Sequence, residues 1–317
     1  SAQGLLVQAA CNAPPRQRPE LMSGEGGQDG GGFTAAYQNA AKEGTAHVRD
    51  AKSGVNVDHT KAVEDPTLPF RERIAARLAR SVAGLEAGGL KRPRCLDVGC
   101  STGGDLKRLR EALGEGSSAQ LVGVDLLEAQ LPKAREALPE AEFKQGDVAA
   151  GLPFEDNEFD TLQASRLLIH MPDPGKAIDE MIRVMKPGAL GVLAESDMDL
   201  GQLMTGDDRL RAINGKKTEH TFKMCANPRA ASTTYRYLLA HPAAESVALD
   251  AWACACPVPP FPEHDRMFLQ KLVESGSLPA EDLEYYMGQA TGRAAAEGNF
   301  VTLFPMFEVS FRKKALS

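Results

Sequence analysis

Three aspartates stand at the ends of strand-like runs: Asp97 after "RCL", Asp125 after "QLVGV" and Asp147 after "AEFKQG". A carboxylate offers acceptors only and can engage two donors at once, so the acid ending the second run suits the paired hydroxyls of a ribose. Asp147, one strand further out, suits an adenine amino group, and Val148 offers a backbone N–H to the ring. Between the first two acids lies "GCSTGG", residues 99–104, directly ahead of a helix-like pattern. Gly-rich turns between a strand and a helix commonly hold nucleotides. The dinucleotide fingerprint needs a glycine in the middle slot for backbone approach to a pyrophosphate, and here that slot is Ser101, which disfavours a nicotinamide-dependent oxidoreductase.

Further along, His170 in "LLIHMPDP" follows the fourth strand and is the candidate general base. The alternative for it is a structural histidine bonded to loop backbone. Glu195 and Asp197, leaving the fifth strand, either face a substrate or cap loops. Tyr37 is placed to close over a bound ligand as a lid, or to pack as an ordinary tyrosine. His220 and the aromatics Phe222, Tyr235, Tyr237 and Trp252 are candidates for an acceptor pocket, with core packing as the plainer reading.

These residues need elements to position them. "FRERIAARLARSVAGL" places Phe70, Ile74, Leu78, Val82 and Leu85 at helical spacing, and "DLKRLREAL" does the same for Leu106, Leu109 and Leu113. Strands "KRPRCLDVG", "AQLVGVDL", "AEFKQGDV", "EFDTLQAS" and "ALGVLAESD" alternate with helices, and Pro187-Gly188 reads as a helix stop before the last of them. That alternation implies a doubly wound α/β fold with a parallel sheet covered on both faces. After Asp199 the rhythm changes to a polar, mixed stretch at 200–244, then strand-like "ESVALDAWACACPV", two helical stretches and the alternating "FVTLFPMFEVSFRKK".

The 317 residues are 43% hydrophobic and 25% charged, enough for a substantial core, and the net charge of −7 argues against a generic nucleic-acid binder. No apolar run is long enough for a membrane span. Six cysteines without a C-x-x-C pair read as reduced thiols of an intracellular protein. Cys254-Ala-Cys256 is read as strand alternation, a soft-metal pair being the alternative, and no metal site is expected. Residues 1–32, rich in Pro, Gly and charge, are expected to be disordered or processed. A cytoplasmic location is expected, or an organellar one if that segment is a transit remnant. Residues 33–69 form a lid or substrate-side segment, and 70–317 a main domain with a substrate-side insert at about 200–244.

On these motifs the chain resembles the class I S-adenosylmethionine-dependent methyltransferases, in the small-molecule branch that includes ubiquinone/menaquinone-type enzymes. "LDVGCSTG" matches the first motif of that family and "VGVDLLEAQL" the second, while the stretch from "GDVAAGLPF" to "LGVLAESD" follows the rest nearly in order. The resemblance implies a Rossmann-like, mostly parallel seven-stranded sheet with an antiparallel C-terminal strand, and S-adenosyl-L-methionine as cofactor. It implies that Gly99, Ser101 and Gly103 form the turn under the methionine part, with Asp97 on the amino group and Ser165 and Arg166 lining the same side. Asp125 would take the ribose, Leu126 would pack on the adenine, and Asp147 and Val148 would bind its edge. Ser101 stands where the family most often has glycine, so a negative φ is expected there. The acceptor implied is small and aromatic, polyketide-like or quinone-like, methylated on C or O. The alternatives are a small amine as acceptor, or a catalytically silent relative that binds the cofactor and regulates. The oligomeric state is not legible.

Overall fold

A computed structural model of the chain describes residues 67–256, 262–291 and 300–315; Tyr37, the expected segment at 1–32 and all but the last three residues of the expected 33–69 segment lie outside them. The first described helix, α1 (Leu68–Ala87), buries Phe70, Ile74, Leu78 and Val82, the stripe its spacing requires. Then come β1 (Arg94–Val98), α2 (Gly104–Leu113), β2 (Gln120–Asp125), α3 (Leu131–Ala137), β3 (Glu142–Gln145), β4 (Phe159–Ser165), α4 (Pro174–Val184) and β5 (Met185–Glu195). The remainder is β6 (Gln202–Met204), α5 (Asp208–Met224), α6 (Ala230–Ala240), β7 (Ala244–Cys256), α7 (Pro262–Glu274), α8 (Ala280–Thr291) and β8 (Val301–Lys313).

The five strands β1 to β5 pair in parallel in the order β3-β2-β1-β4-β5. The C-terminal β8 inserts antiparallel beside β5, pairing Leu190–Glu195 with Phe307–Arg312. β7 covers the other edge of β8 along its length, so the short β6 shares the β5 edge further down. The sheet therefore has eight strands rather than the seven expected, because "QLM" after the fifth strand adds a three-residue strand against the long β8. The chain passes from β1 to β2 on one side and returns to β4 on the other. Their carboxyl ends are thus the switch point at which open α/β sheets bind ligands.

Two cores sandwich the sheet. One holds α4 residues such as Ile178 and Met181 against Leu162 and Leu193, and the other holds the α1 stripe with Leu106, Leu109 and Val192. Fully burying each such side chain contributes roughly 1.5–3 kcal/mol. A third core is separate: Leu203, Leu210 and Ile213 pack with Leu269, Leu283, Tyr286 and Phe300. The expected insert at 200–244 is thus divided. Its first part joins α7, α8 and Phe300 in this helical unit, whereas Leu238 of α6 packs under the sheet. Among the described residues no helix is long and apolar enough to cross a membrane.

Candidate active site

The Gly-rich turn leaves β1 and folds back over β2. Gly99 and Cys100 both donate their N–H to Val124 O, and Gly99 and Gly103 take φ of 76° and 80°. A Cβ at Gly99 would come within 3.1 Å of Leu167 Cδ1, so the glycine lets the loop after β4 close onto the turn. Ser101 departs from expectation: its φ is 48°, not negative. The cause is its amide, which donates to Asp125 Oδ2 at 2.8 Å. A left-handed L-residue costs roughly 1–2 kcal/mol, and a hydrogen bond to a charged group returns about 1.5–3 kcal/mol. The side chain is exposed, so nothing buried opposes it.

Asp125 holds Leu127 N–H with its other oxygen, at 2.8 Å. A carboxylate has two oxygens with two lone pairs each, the acceptor set that a pair of ribose hydroxyls requires. Leu126 is half-buried beside it, its carbonyl accepting from Gln145 Nε2. Asp147 is half-buried and accepts Ala149 N–H, folding the 147–151 turn, while the Val148 side chain is buried in the core.

Asp97 lies in register with Gln163 of β4 and is almost fully buried. Burial, then the neighbouring Asp105 charge, holds its carboxyl well above the usual carboxylate range, opposed by Arg71 and Gln163. By distance and angle, Asp97 Oδ2 and Gln163 Nε2 are buried without a hydrogen-bond partner among the described residues, although the Gln163 side chain lies near enough to Asp97 to oppose its shift. Alongside, Arg71 of α1 donates to Asp105 Oδ1 at 2.7 Å. Arg71, Asp105, Gln163 and Ser165 line a cavity of about 10 Å³, room for one water. A buried donor and a buried acceptor that lack ideal partners at the switch point are groups a polar ligand can pair with. Sequence reasoning passed over Gln163, although one amide in an otherwise buried strand was its signal. Arg71 had none, since arginines flank the apolar stripe of α1 throughout.

The loop after β4 carries Arg166, exposed with φ 52°, and His170, which burial and then Arg166 hold down to about 4. Glu195 corrects an expectation. It does not face an acceptor: it is fully buried, and its Oε1 accepts Leu167 N–H at 2.9 Å and Leu168 N–H at 2.7 Å. Burial raises its carboxyl to about 7 against those amides. Asp197 likewise caps, accepting from Ser232 in the first turn of α6. The aromatics divide. Tyr235 and Tyr237 pack against one core, Trp252 against the other, and Phe222 lies under the Arg229 guanidinium on the insert. His220 sits edge-on to Phe268 within the helical unit.

Geometry thus gathers Asp97, Gly99, Ser101, Gly103 and Asp125 around one turn, with Ser165 and Arg166 opening the adjacent loop. Residues 96–193 match the family described as a methyltransferase domain. The chain is 37% identical over 107 residues to an uncharacterized 37.1 kDa protein in transposon TN4556 of Streptomyces fradiae, covering 33% of this chain and 30% of that protein. It is 38% identical over 109 residues to the demethylmenaquinone methyltransferase of Desulfitobacterium hafniense, covering 32% and 41%. With the Staphylococcus aureus demethylmenaquinone methyltransferase the identity is 36% over 114 residues, covering 35% and 46%. The chain spans less than half the length of these relatives.

Proposed function

We propose that the chain, whose residues 96–193 match a methyltransferase domain, is a class I enzyme that transfers a methyl group from S-adenosylmethionine to a small acceptor that ionises readily, of the phenol or quinol class. The observation carrying this reading is the open buried pair at the switch point. Asp97 Oδ2 suits the ammonium of the cofactor's methionine part, and the Gln163 amide suits its carboxylate. The residues present fit the rest of the group as well. Asp125 would hold the ribose, Leu126 would cover the adenine, and Asp147 with the Val148 amide would meet its edge.

When bound, the cofactor supplies a methyl group already activated on a sulfonium. The work left to the protein is to fix the acceptor in line and keep water away. Gly99 and Gly103 bring backbone close to the methionine part, and Ser165 and Arg166 wall it from the β4 side. His170, held down to about 4, is neutral at pH 7 and a weak base. A weak base favours an acceptor that needs little help to lose its proton, such as a phenolate or the enolate-like carbon of a quinol. A protonated amine fits less well. Relatives named as demethylmenaquinone methyltransferases support the same class.

The test is transfer of labelled methyl from the cofactor to matched panels of phenols, quinols and amines. Labelled phenol or quinol products are expected. Label appearing in amines alone would overturn the acceptor class, and cofactor binding without turnover on any panel would favour a silent regulatory relative.

A further inference from the structure

The loop between β4 and α4 is held from two sides. From the sheet, Glu195 accepts Leu167 and Leu168 N–H, and Ala194 O accepts Arg166 N–H at 2.8 Å. From the acceptor-side segment joining α5 to α6, Asn227 grips the opposite, carbonyl side of the same residues. Its Nδ2 donates to Leu168 O at 3.2 Å and its N–H to Ile169 O at 3.1 Å. Both gripping side chains are buried, at 0% and 8% exposure, so water does not replace these bonds. The segment after β5 is fastened to the same segment as Asn227: Met198 N–H donates to Pro228 O, and Asp197 caps Ser232. Leu167 then rests on Gly99, the glycine of the turn. A continuous path of contacts therefore runs from the acceptor-side segment through Asn227, Leu168 and Leu167 to Gly99.

We propose that Glu195 and Asn227 are positioning residues forming a two-sided clamp on Leu167–Ile169, which ties the placement of the acceptor-side segment to that of the cofactor turn. The inference rests on the methyltransferase reading of the site. Neither residue touches the reacting atoms. Glu195 sets the loop against the sheet, and Asn227 passes movement of the segment at 225–230 into it. The charged group acting on Glu195 from the loop is Arg166, while His170 at the loop's far end is neutral at pH 7 and Asn227 carries no charge. With Glu195 Oε2 buried and, among the described residues, outside hydrogen-bond geometry although near the Ile169 amide, the charge on this carboxyl near neutral pH tunes how firmly the loop amides are held.

The experiment uses the full chain with Glu195→Ala, Glu195→Gln and Asn227→Ala, reading amide hydrogen exchange at residues 167–169, S-adenosylhomocysteine affinity and steady-state kinetics. Glu195→Ala is expected to speed exchange of the Leu167 and Leu168 amides by about tenfold or more, the loss expected for hydrogen bonds to a charged group, and to weaken cofactor-product binding. Glu195→Gln, which keeps the acceptor oxygen, should restore most of the protection and abolish a kcat inflection near pH 7. Asn227→Ala should lower kcat about fivefold or more, within the range of one buried hydrogen bond, while S-adenosylhomocysteine affinity stays within about twofold. Unchanged exchange in Glu195→Ala, or wild-type kcat in Asn227→Ala, would overturn the clamp. If Glu195→Ala fails to fold, Glu195→Gln and Asn227→Ala decide the matter alone. Absence of S-adenosylhomocysteine binding to the wild type would instead sink the methyltransferase reading, and the exchange data would still judge the clamp.

Discussion

Replacing Glu195 by glutamine should change how stability depends on pH. An ordinary glutamate titrates at 4.5, whereas burial in the fold raises Glu195 to about 7. Between those values the unfolded chain has released this proton and the folded chain retains it. Unfolding then releases a proton, and stability falls as pH rises. The contribution is fully present below 4.5 and is lost as pH passes 7. Each pH unit of the gap is worth about 1.4 kcal/mol, so the whole window from 4.5 to about 7 amounts to about 3 kcal/mol. Glutamine keeps the oxygen that accepts the Leu167 and Leu168 amides and cannot ionise. Subtracting the variant from the wild type also cancels other titrating groups, notably Asp97, which is raised in the same direction. The assay is urea unfolding of the ligand-free protein at intervals from pH 4.5 to 8, with the slope m checked for constancy. Wild-type stability should fall relative to Glu195→Gln by about 3 kcal/mol across that range. Two curves running parallel in pH would refute the reasoning, since the carboxyl would then titrate alike in the folded and unfolded chain.

On the proposed reading, Asp125→Ala should weaken S-adenosylhomocysteine binding by roughly 1.5–3 kcal/mol, about 10- to 150-fold by calorimetry, because it would remove the acceptors proposed for the ribose and free the Ser101 and Leu127 amides. Gly123→Ala would put a Cβ 2.6 Å from Phe143 and 2.8 Å from Cys100 Sγ, and urea unfolding should register a loss of about 1–3 kcal/mol. His170→Gln should leave the shape of the kcat–pH profile unchanged between pH 6 and 8, since a group held at about 4 is already neutral there. Leu78→Ala, at 1% exposure in the α1 stripe, should cost about 2–5 kcal/mol by the same unfolding measurement.

The parallel half of the fold was legible because β1, β2, β4 and most of β5 are buried on both faces and its helices carry clean apolar stripes. Phe70, Ile74, Leu78 and Val82 announce α1 without tertiary help. The positions of the acids were legible for a related reason: a carboxylate at the end of a predicted strand is unexplained by packing. α5 was not, since of its seventeen residues only Leu210 and Ile213 are buried and most of the others are polar. Its N-cap, Asp207 accepting from Arg209 and Leu210, was the local sign available. Pro187-Gly188 read as a helix stop ahead of the strand, yet β5 already begins at Met185. The pairing with β4 skips from Met185 to Leu190, and in that irregularity a proline costs no ladder bond. The roles of Glu195, Gln163 and Asn227 depend on partners far along the chain, so residue type alone could not separate a capping acid from a catalytic one. At Ser101 the preference of a serine for negative φ yielded to the Asp125 carboxylate that fixes its amide.

The central claim is that the turn at Gly99–Gly103 with Asp97 and Asp125 holds the methionine-bearing nucleoside cofactor rather than a dinucleotide. Calorimetric titration of the wild-type chain with S-adenosylhomocysteine and, separately, with NADH tests it most directly. The expected result is saturable binding of S-adenosylhomocysteine at one site per chain and no heat of binding with NADH. Saturable NADH binding with none for S-adenosylhomocysteine would contradict the account.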